Sequence, residues 1–286
     1  MKELVERAAR DLTNSNYAIA LTGAGMSTES GIPDFRGPDG IWTKNPEAER
    51  EAYQAYNELL RDPKAHWEKR LNPSGYYTLF LEEMGKAESN PGHYALADLE
   101  KMGILKLTIT QNVDGLHQKA GSQNVIEYHG GLWKLRCMSC GSRFPEEEYD
   151  LEKLIREDQL PPRCRKCGGV LKSDGVYFME PIPSDVAHQS LEAAWKCDSM
   201  LICGTSAVVY PFAQLPRVAR EKKVESERRT DWGMSVVERK AAVNIIEINA
   251  EPTPLTHEGI SDYLIQGKTG EVLPLIVDAV RQMRGG

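Results

Sequence analysis

The sequence YAIALTGAGMSTESGIPDFRG occupies residues 17–37, and the rest of the chain is organised around it. Its apolar run at residues 18–21 is typical of a strand that is buried on both faces. The Gly-Ala-Gly turn that follows lets the backbone bend sharply and approach a ligand closely, because glycine has no side chain. We expect Ser27 and Thr28 to cap a helix whose free N–H groups attract phosphate. A lone G-x-G is more often an ordinary turn, and Thr28 replaces the third glycine of a dinucleotide fingerprint.

The second half of this stretch, residues 30–37, combines a small apolar step with an acid, an aromatic ring and an arginine. This combination has no evident role in a core and suits a loop that folds over a bound nucleotide. Residues 23–37, GAGMSTESGIPDFRG, resemble the cofactor-loop signature of the sirtuins, the NAD-dependent protein lysine deacylases. Further motifs match this family in order, and the resemblance spans essentially the whole chain: QNVD at 111–114, HG at 129–130 and GTS at 204–206.

The composition is that of a soluble globular protein. The 286 residues are 41% hydrophobic and 27% charged, which is enough to bury a sizeable core. A net charge of −7 and a pI near 5.5 argue against a nucleic-acid partner, but not against lysine-bearing protein substrates. The N-terminus lacks the apolar core of a signal peptide, and no apolar run approaches the ~20 residues that span a bilayer. We therefore expect a cytoplasmic protein with no membrane partner.

Short apolar segments alternate with helical ones, which predicts an α/β fold with a doubly wound parallel Rossmann-like sheet. The predicted strands are residues 18–21, 105–110, 125–128, 175–178, 199–203 and 245–248. The predicted helices include residues 2–13, 47–60, 66–70, 76–84 and 94–102. The predicted domains are an NAD-binding domain (1–36, 91–131 and 175–286), an inserted helical module (37–90) and a zinc-binding small domain (132–174). Residues 221–242 are charged and without a family counterpart, so we expect a surface excursion there.

Four of the six cysteines form two C-x2-C pairs, which indicate metal binding more often than disulfides in a cytosolic chain. Each pair places two thiolates on a tight knuckle, and two knuckles complete a tetrahedral site without an open position for water. A structural Zn²⁺ ion is therefore expected, and a nucleic-acid-binding zinc ribbon is the weaker alternative because the surrounding charge is mixed. Cys197 and Cys203 are interpreted as packing residues. The predicted zinc ligands are Cys137, Cys140, Cys164 and Cys167.

His129 is the candidate catalytic histidine. It directly follows a short predicted strand, precedes two glycines, and lies near the strand end that bears Asn112 and Asp114. On the residues alone, a structural role for His129 is as compatible as a functional one. His117 could cap the helix that follows Asp114. Packing or loop roles are expected for the remaining histidines, which are His66, His93, His188 and His257.

The sirtuin resemblance implies a reaction in which the acyl-lysine oxygen attacks the ribose carbon that nicotinamide leaves, giving nicotinamide, O-acetyl-ADP-ribose and free lysine. It implies that His129 is the general base on a ribose hydroxyl and that Asn112 and Asp114 complete the catalytic set. The implied NAD-binding residues are Gly23, Ala24, Gly25, Ser27, Ile32, Asp34, Phe35, Arg36, Gln111, Asn112, Asp114, Gly204, Thr205, Ser206, Asn249, Glu251 and Thr269. Acetyl-lysine protein substrates would add as a strand along Val176, Phe178 and Met179.

Two features depart from the family pattern. Residues 172–180 read KSDGVYFME, with Met179 where sirtuins usually carry the glycine of Phe-Gly-Glu, so its side chain could narrow the substrate channel. Sirtuins that prefer acidic acyl groups place a tyrosine and an arginine three apart in the helical module. Residues 66–70 read HWEKR, and neither Tyr53 nor Tyr56 has an arginine three residues on, which favours acetyl over succinyl groups. The alternatives are another deacylase, a protein ADP-ribosyltransferase, or a non-enzymatic, NAD-responsive zinc-ribbon module.

Overall fold

The computed structural model of the protein describes residues 1–72, 81, 84–227 and 243–285. The strands are β1 (Ala18–Thr22), β2 (Leu105–Thr110), β3 (Val125–Glu127), β4 (Lys134–Cys137), β5 (Arg143–Pro145), β6 (Leu171–Ser173), β7 (Ser199–Cys203), β8 (Asn244–Asn249) and β9 (Tyr263–Gln266). The helices are α1 (Lys2–Thr13), α2 (Ile41–Lys44), α3 (Pro46–Arg61), α4 (Pro63–Leu71), α5 (Pro91–Lys101), α6 (Leu116–Lys119), α7 (Leu151–Arg156), α8 (Ser184–Lys196), α9 (Gln214–Glu227), α10 (Pro254–His257) and α11 (Thr269–Gly285).

The main sheet has six parallel strands in the order β3-β2-β1-β7-β8-β9. The buried strand β1 lies in its middle, where Leu21 pairs with Ile109 of β2 on one side and Ile202 of β7 on the other. The chain leaves β1 towards β2 and later returns to its opposite side through β7. A crevice therefore opens beyond the carboxyl ends of β1 and β7, and this switch point is where open α/β sheets bind ligands.

Helices cover both faces of this sheet. Ala18 and Ala20 of β1 pack in a core with α1, α5 and α11, whereas Ile19 and Leu21 pack in a second core with α8 and α9. This alternation follows from the two-residue period of a strand, which points successive side chains to opposite faces. The predicted doubly wound α/β fold is confirmed, and the division into three domains stays a prediction.

A second, antiparallel sheet of strands β5-β4-β6 carries the cysteine pairs. Leu135 of β4 and Leu171 of β6 form its small core together with Trp67 of α4. The indole Nε1 of the fully buried Trp67 donates a hydrogen bond to the Leu171 carbonyl oxygen at 2.8 Å. A buried tryptophan removes about 150–250 Å² from water, so this contact fastens α4 to the small sheet.

The predicted strand at residues 175–178 is wrong, because the strand of this region is β6, which ends at Ser173, before residue 175. A strand needs a continuous ladder of hydrogen bonds with a neighbour. β6 has this ladder with β4, while Val176 donates a single backbone hydrogen bond to the His129 carbonyl oxygen at 2.8 Å. The segment after β6 therefore leaves the sheet and turns.

Two predictions of helix capping are also wrong. The chain after the Gly-Ala-Gly turn forms two single 3-10 turns, Ala24–Met26 and Thr28–Ser30, and Ser27 makes no side-chain cap. Its hydroxyl donates to a buried carboxylate of Asp114 instead. His117 lies inside α6 and does not cap it, because the Leu116 N–H group at the start of α6 donates to the Asp114 side chain at 2.9 Å.

Other predictions fall partly outside the described residues. The predicted excursion at 221–242 begins inside α9, which continues to Glu227, and its remaining residues 228–242 lie outside the described part. Most of the predicted helix at 76–84 lies outside it as well. Within the described ranges, no helix is long and apolar enough to cross a membrane.

Candidate active site

The loops that follow β1 and β7 are in direct backbone contact. The Gly25 N–H group donates to the Gly204 carbonyl oxygen at 2.8 Å, and the Gly23 N–H group donates to the Cys203 carbonyl oxygen at 3.2 Å. A β-carbon on Gly25 would lie 2.9 Å from the Gly204 oxygen, which real β-carbons do not tolerate. Both loops therefore need glycine where they meet at the switch point. Gly23, Gly25 and Gly204, which line the bottom of the crevice, are called the glycine floor below.

The polar side chains after β2 are tied to this floor. The Asn112 amide donates to the Gly23 carbonyl oxygen and to the Ser27 hydroxyl, both at 3.0 Å. Ser27 in turn donates to an Asp114 carboxylate oxygen at 2.7 Å. Burial raises the pKa of Asp114, and the hydrogen bonds from Leu116 and Ser27 oppose that rise. Three predicted site residues thus form one connected polar cluster at the carboxyl end of β1.

His129 is held beside this cluster by Gln111. The imidazole Nδ1 lies 3.1 Å from the Gln111 carbonyl oxygen, which can only accept a hydrogen bond. In neutral His129 the proton is therefore on Nδ1, and Nε2 carries the lone pair that can accept a proton. Burial lowers the pKa of His129 below its ordinary value, and the bond to Gln111 partly offsets this. The Gln111 side chain also donates to Thr205 at 2.8 Å, which joins the ends of β2 and β7.

The other histidines near the sheet are packing residues. His93 and His117 are buried, and their rings lie 4.9 Å apart. Burial lowers the pKa of His93 to about 4 and that of His117 to about 3, so both are neutral at physiological pH. His117 Nε2 lies 2.9 Å from the Thr22 hydroxyl, inside β1. Neither ring is exposed to a ligand.

The second half of the cofactor loop, residues 30–37, packs against the inserted helical module. Ile32 is buried, whereas the Phe35 ring is 42% exposed and lies 4.9 Å from Trp42 of α2. The Arg36 guanidinium lies 4.5 Å from the Trp42 ring and 3.6 Å from a carboxylate oxygen of Glu49. The structure thus places the Arg36 side chain against α2 and α3, and its role in NAD binding stays a prediction. Asp34 shapes this loop by accepting the Gly37 N–H group at 2.7 Å.

The remaining predicted NAD ligands lie along the carboxyl edge of the sheet. Asn249 at the end of β8 donates to the Glu251 carbonyl oxygen at 2.9 Å, and the Glu251 side chain is exposed, as is Ser206. Thr269 at the start of α11 is buried, and its hydroxyl has no partner among the described residues. The exposed side chains of Ser206 and Glu251 can therefore contact a ligand that extends from the switch point towards β9. Ala24 lies in the 3-10 turn above the glycine floor.

The segment predicted to bind substrate forms a turn against an aromatic cluster. The Phe178 ring lies 5.4 Å from Trp42 and 4.6 Å from Tyr53 of α3. Met179 has a positive φ of 67° and is 78% exposed. The sequence did not predict that Trp42 and Tyr53 would contact Phe178, because only the fold brings the inserted helical module and this turn together.

A buried ionic network fixes the other side of this turn. Lys172 of β6 lies 3.0 Å from a Glu180 carboxylate oxygen, and the Arg136 guanidinium contacts Glu180 at 2.8 Å and Asp174 at 3.0 Å. Burial lowers the pKa of Lys172 to about 8, while Glu180 opposes the shift. The sequence did not predict this network. The charged residues Lys172, Asp174 and Glu180, close together in a short segment, could have indicated it.

The four cysteines of the two knuckles converge as predicted. Their sulfur atoms all lie within 4.8 Å of one another, with 3.5 Å between Cys137 and Cys167 and 3.7 Å between Cys140 and Cys164. Four thiolates around a tetrahedral Zn²⁺ ion lie about 3.8 Å apart, given Zn–S bonds of about 2.3 Å. The cluster therefore fits one zinc ion, with no position left for water. Cys197 and Cys203 are both buried elsewhere, as expected of packing residues.

The sequence model of the Sir2 family matches residues 23–211, which include the glycine floor, the polar cluster, His129 and both knuckles. The chain belongs to the Sir2 family. Its relatives in this family of NAD-dependent protein deacylases include "NAD-dependent protein deacylase 2" of Pyrobaculum aerophilum, 42% identical over 95% of this chain and 94% of the relative. "NAD-dependent protein deacetylase" of Saccharolobus solfataricus is 39% identical over 98% of both chains.

Solved Sir2 structures share the fold. A Sir2 homologue solved as an NAD complex is 37% identical, with a TM-score of 0.71 over 97% of this chain and 94% of that one. Sir2Af2, solved with a myristoylated histone peptide, is 35% identical, with a TM-score of 0.66 over 100% of this chain and 99% of that one. The names of the relatives are divided between deacylase and deacetylase. They identify the reaction class without identifying the acyl group.

Proposed function

We propose that this chain removes acetyl groups from protein lysines in an NAD-dependent reaction. The observation that carries the proposal is the position of His129, a neutral base joined through Gln111 to the polar cluster at the switch point. A solved relative that binds NAD and relatives named deacetylase support the same reading. The products would be nicotinamide, O-acetyl-ADP-ribose and deacetylated lysine.

The residues of the crevice fit NAD as the co-substrate. NAD supplies a cleavable bond between nicotinamide and ribose, and hence an electrophilic ribose carbon. The glycine floor allows a diphosphate to approach the backbone, and the Thr205 and Ser206 hydroxyls lie on the same loop. The Asn112, Ser27 and Asp114 cluster offers amide and carboxylate groups to the nicotinamide end. The exposed Glu251 side chain is available for the adenosine end.

His129 would act as the general base on a ribose hydroxyl. Its Nε2 atom accepts the proton, and the Gln111 carbonyl oxygen stabilises the N–H group on Nδ1 before and after transfer. The bond to Gln111 also fixes the ring orientation. Asn112 and Asp114 would position the reacting ribose and nicotinamide, so that the attack of the acyl oxygen occurs within one preorganised site.

The acyl-lysine segment would lie extended along Val176, Phe178 and Met179. Sir2Af2 was solved with an acylated histone peptide, and another Sir2 structure, 27% identical with a TM-score of 0.71, with a deacetylated p53 peptide. Acetyl is favoured over succinyl because Arg70, the arginine of the HWEKR segment, pairs with Glu146 and stacks on Trp67. Its charge is thereby compensated, which leaves it unsuited to receive the carboxylate of an acidic acyl group.

The test compares acetyl-, succinyl- and myristoyl-lysine versions of one peptide, with NAD present and products followed by mass spectrometry. We expect nicotinamide and O-acetyl-ADP-ribose in equal amounts. We expect kcat/KM to be at least about tenfold higher for the acetyl than for the succinyl peptide, because the succinyl carboxylate lacks a charge-assisted partner in the site. A preference for succinyl contradicts the acyl assignment. Consumption of NAD with ADP-ribose attached to protein and no deacylation would replace the proposal by ADP-ribosyl transfer.

The acidic limb of the pH profile tests the state of His129. A base works in its neutral form, and the pKa of His129 is lowered from 6.5, so the neutral form persists to lower pH. We expect kcat/KM to rise with pH to a plateau, with the midpoint of the rise below 6.5. Rates with the acetyl peptide between about pH 5 and about pH 8 measure it. A midpoint above 6.5 would mean that the rise is set by a group other than a neutral His129 with a lowered pKa.

A further inference from the structure

We propose that Met179 is a specificity-determining residue that binds an apolar side chain of the protein substrate within three residues of the acyl-lysine. The inference rests on the proposed deacylase function and narrows its substrate class. Its starting point is a conflict between backbone and side chain at one position of the turn after β6.

Met179 occupies a backbone conformation that favours glycine. The Glu180 N–H group donates to the Tyr177 carbonyl oxygen at 3.1 Å, which closes a four-residue turn, and Met179 is its third residue with φ of 67°. A positive φ at this position strains any residue with a β-carbon, so glycine or asparagine is usual there. With 78% of Met179 exposed, packing does not compensate for the strain. Strain that folding does not explain is a mark of functional sites.

The turn that carries Met179 is fixed at both ends. Val176 donates to the His129 carbonyl oxygen at 2.8 Å at one end, and the Glu180 carboxylate is held by Lys172 and Arg136 at the other. Glu180 also accepts the Tyr177 N–H group at 3.0 Å. Met179 is therefore presented to solvent from a rigid support, which lowers the entropy lost when a partner contacts it.

If the acyl-lysine reacts beside His129, as in the proposed function, Met179 lies close to it. Met179 lies three positions after Val176, so their α-carbons are at most about 11 Å apart, and Val176 contacts the His129 backbone. An extended peptide advances about 3.3 Å per residue, so Met179 can reach no further than about three residues from the acyl-lysine.

The chemistry of this neighbourhood favours an apolar partner. The charges behind the turn, on Lys172, Arg136 and Glu180, are paired with one another. The rings of Phe178 and Tyr53 extend the surface on the other side, and Tyr53 is 42% exposed. Methionine is flexible and polarizable, so it adapts to several aliphatic or aromatic side chains. A substrate with a leucine-like residue near the acyl-lysine fits this surface better than one with serine.

A leucine scan tests the inference. One acetyl-lysine peptide carries serine at the three positions on each side, and variants replace one serine at a time by leucine. In the natural protein we expect leucine at one or two positions to raise kcat/KM by about fivefold to tenfold, through a lower KM, as for burial of part of an aliphatic side chain. Met179→Gly should make the leucine peptides no better than the all-serine peptide assayed with the same variant, while Met179→Leu should retain the gain.

The outcomes separate this inference from the deacylase proposal. A flat scan in the natural protein, or an unchanged gain in Met179→Gly, overturns the role of Met179 even when deacylation is efficient. An equal loss of activity with every peptide would show that Met179 only supports the loop. Binding of the same peptides, labelled with a fluorophore, is measured by anisotropy, so Met179 is tested even if no peptide is deacylated.

Discussion

Replacing His129 by alanine is expected to lower kcat/KM for the acetyl-lysine peptide by about 10²–10⁴-fold, the usual contribution of a positioned general base. The variant loses the Nε2 lone pair that accepts the ribose proton and the N–H group that donates to the Gln111 carbonyl oxygen. The polar cluster of Asn112, Ser27 and Asp114 makes its own hydrogen bonds, so it should persist. The affinity for NAD should therefore change little, while kcat falls.

The matched control for this variant is His188→Ala, which removes an exposed histidine from α8. Initial rates of O-acetyl-ADP-ribose formation, NAD affinity by calorimetry and melting temperature are measured for both variants. We expect natural rates in His188→Ala and a loss confined to kcat in His129→Ala. Two results would refute the assignment: turnover within a factor of a few of the natural protein, or a loss that follows only from unfolding.

The parts of the fold that follow from local pattern were predictable. Strand β1 is buried on both faces, so its apolar run is continuous and its glycine turn is adjacent in sequence. The zinc ligands were predictable for the same reason, since each C-x2-C pair brings two sulfur atoms together through local geometry alone. His129 was found because a family motif marks it; its residue context alone was ambiguous.

What could not be predicted depends on partners distant in sequence. The apolar segment at residues 175–178 has the composition of a strand, but strand formation needs a free neighbouring edge, and β4 already pairs with β5 and β6. Similarly, the Phe178 ring contacts Trp42 and Tyr53, which lie in a distant part of the sequence. Both outcomes are decided by tertiary contacts, which override local propensity.

Loss of zinc is expected to have the largest effect on stability. The sheet β5-β4-β6 has a small core built around Leu135 and Leu171, and too little apolar surface is buried in such a unit to fold it without a further link. Structural zinc sites supply that link, with apparent binding free energies of about 10–16 kcal/mol in zinc-finger peptides. Cys164→Ser replaces a thiolate by a weak ligand, so we expect loss of the ion and destabilisation by more than about 4 kcal/mol.

The expected consequences reach the active site, because β6 leads directly into the turn of Met179 and holds Lys172. When the small sheet loosens, the Glu180 contacts of Lys172 and Arg136 weaken, so the KM for peptide should rise before NAD affinity changes. Zinc content by mass spectrometry, melting temperature by calorimetry and peptide kinetics are compared in the natural protein and Cys164→Ser. Cys197→Ala, which removes a buried cysteine away from the knuckles, is the control that should keep one zinc ion and lose only about 1 kcal/mol. A Cys164→Ser protein with one bound zinc ion and natural stability would show that the four thiolates do not act as one structural site.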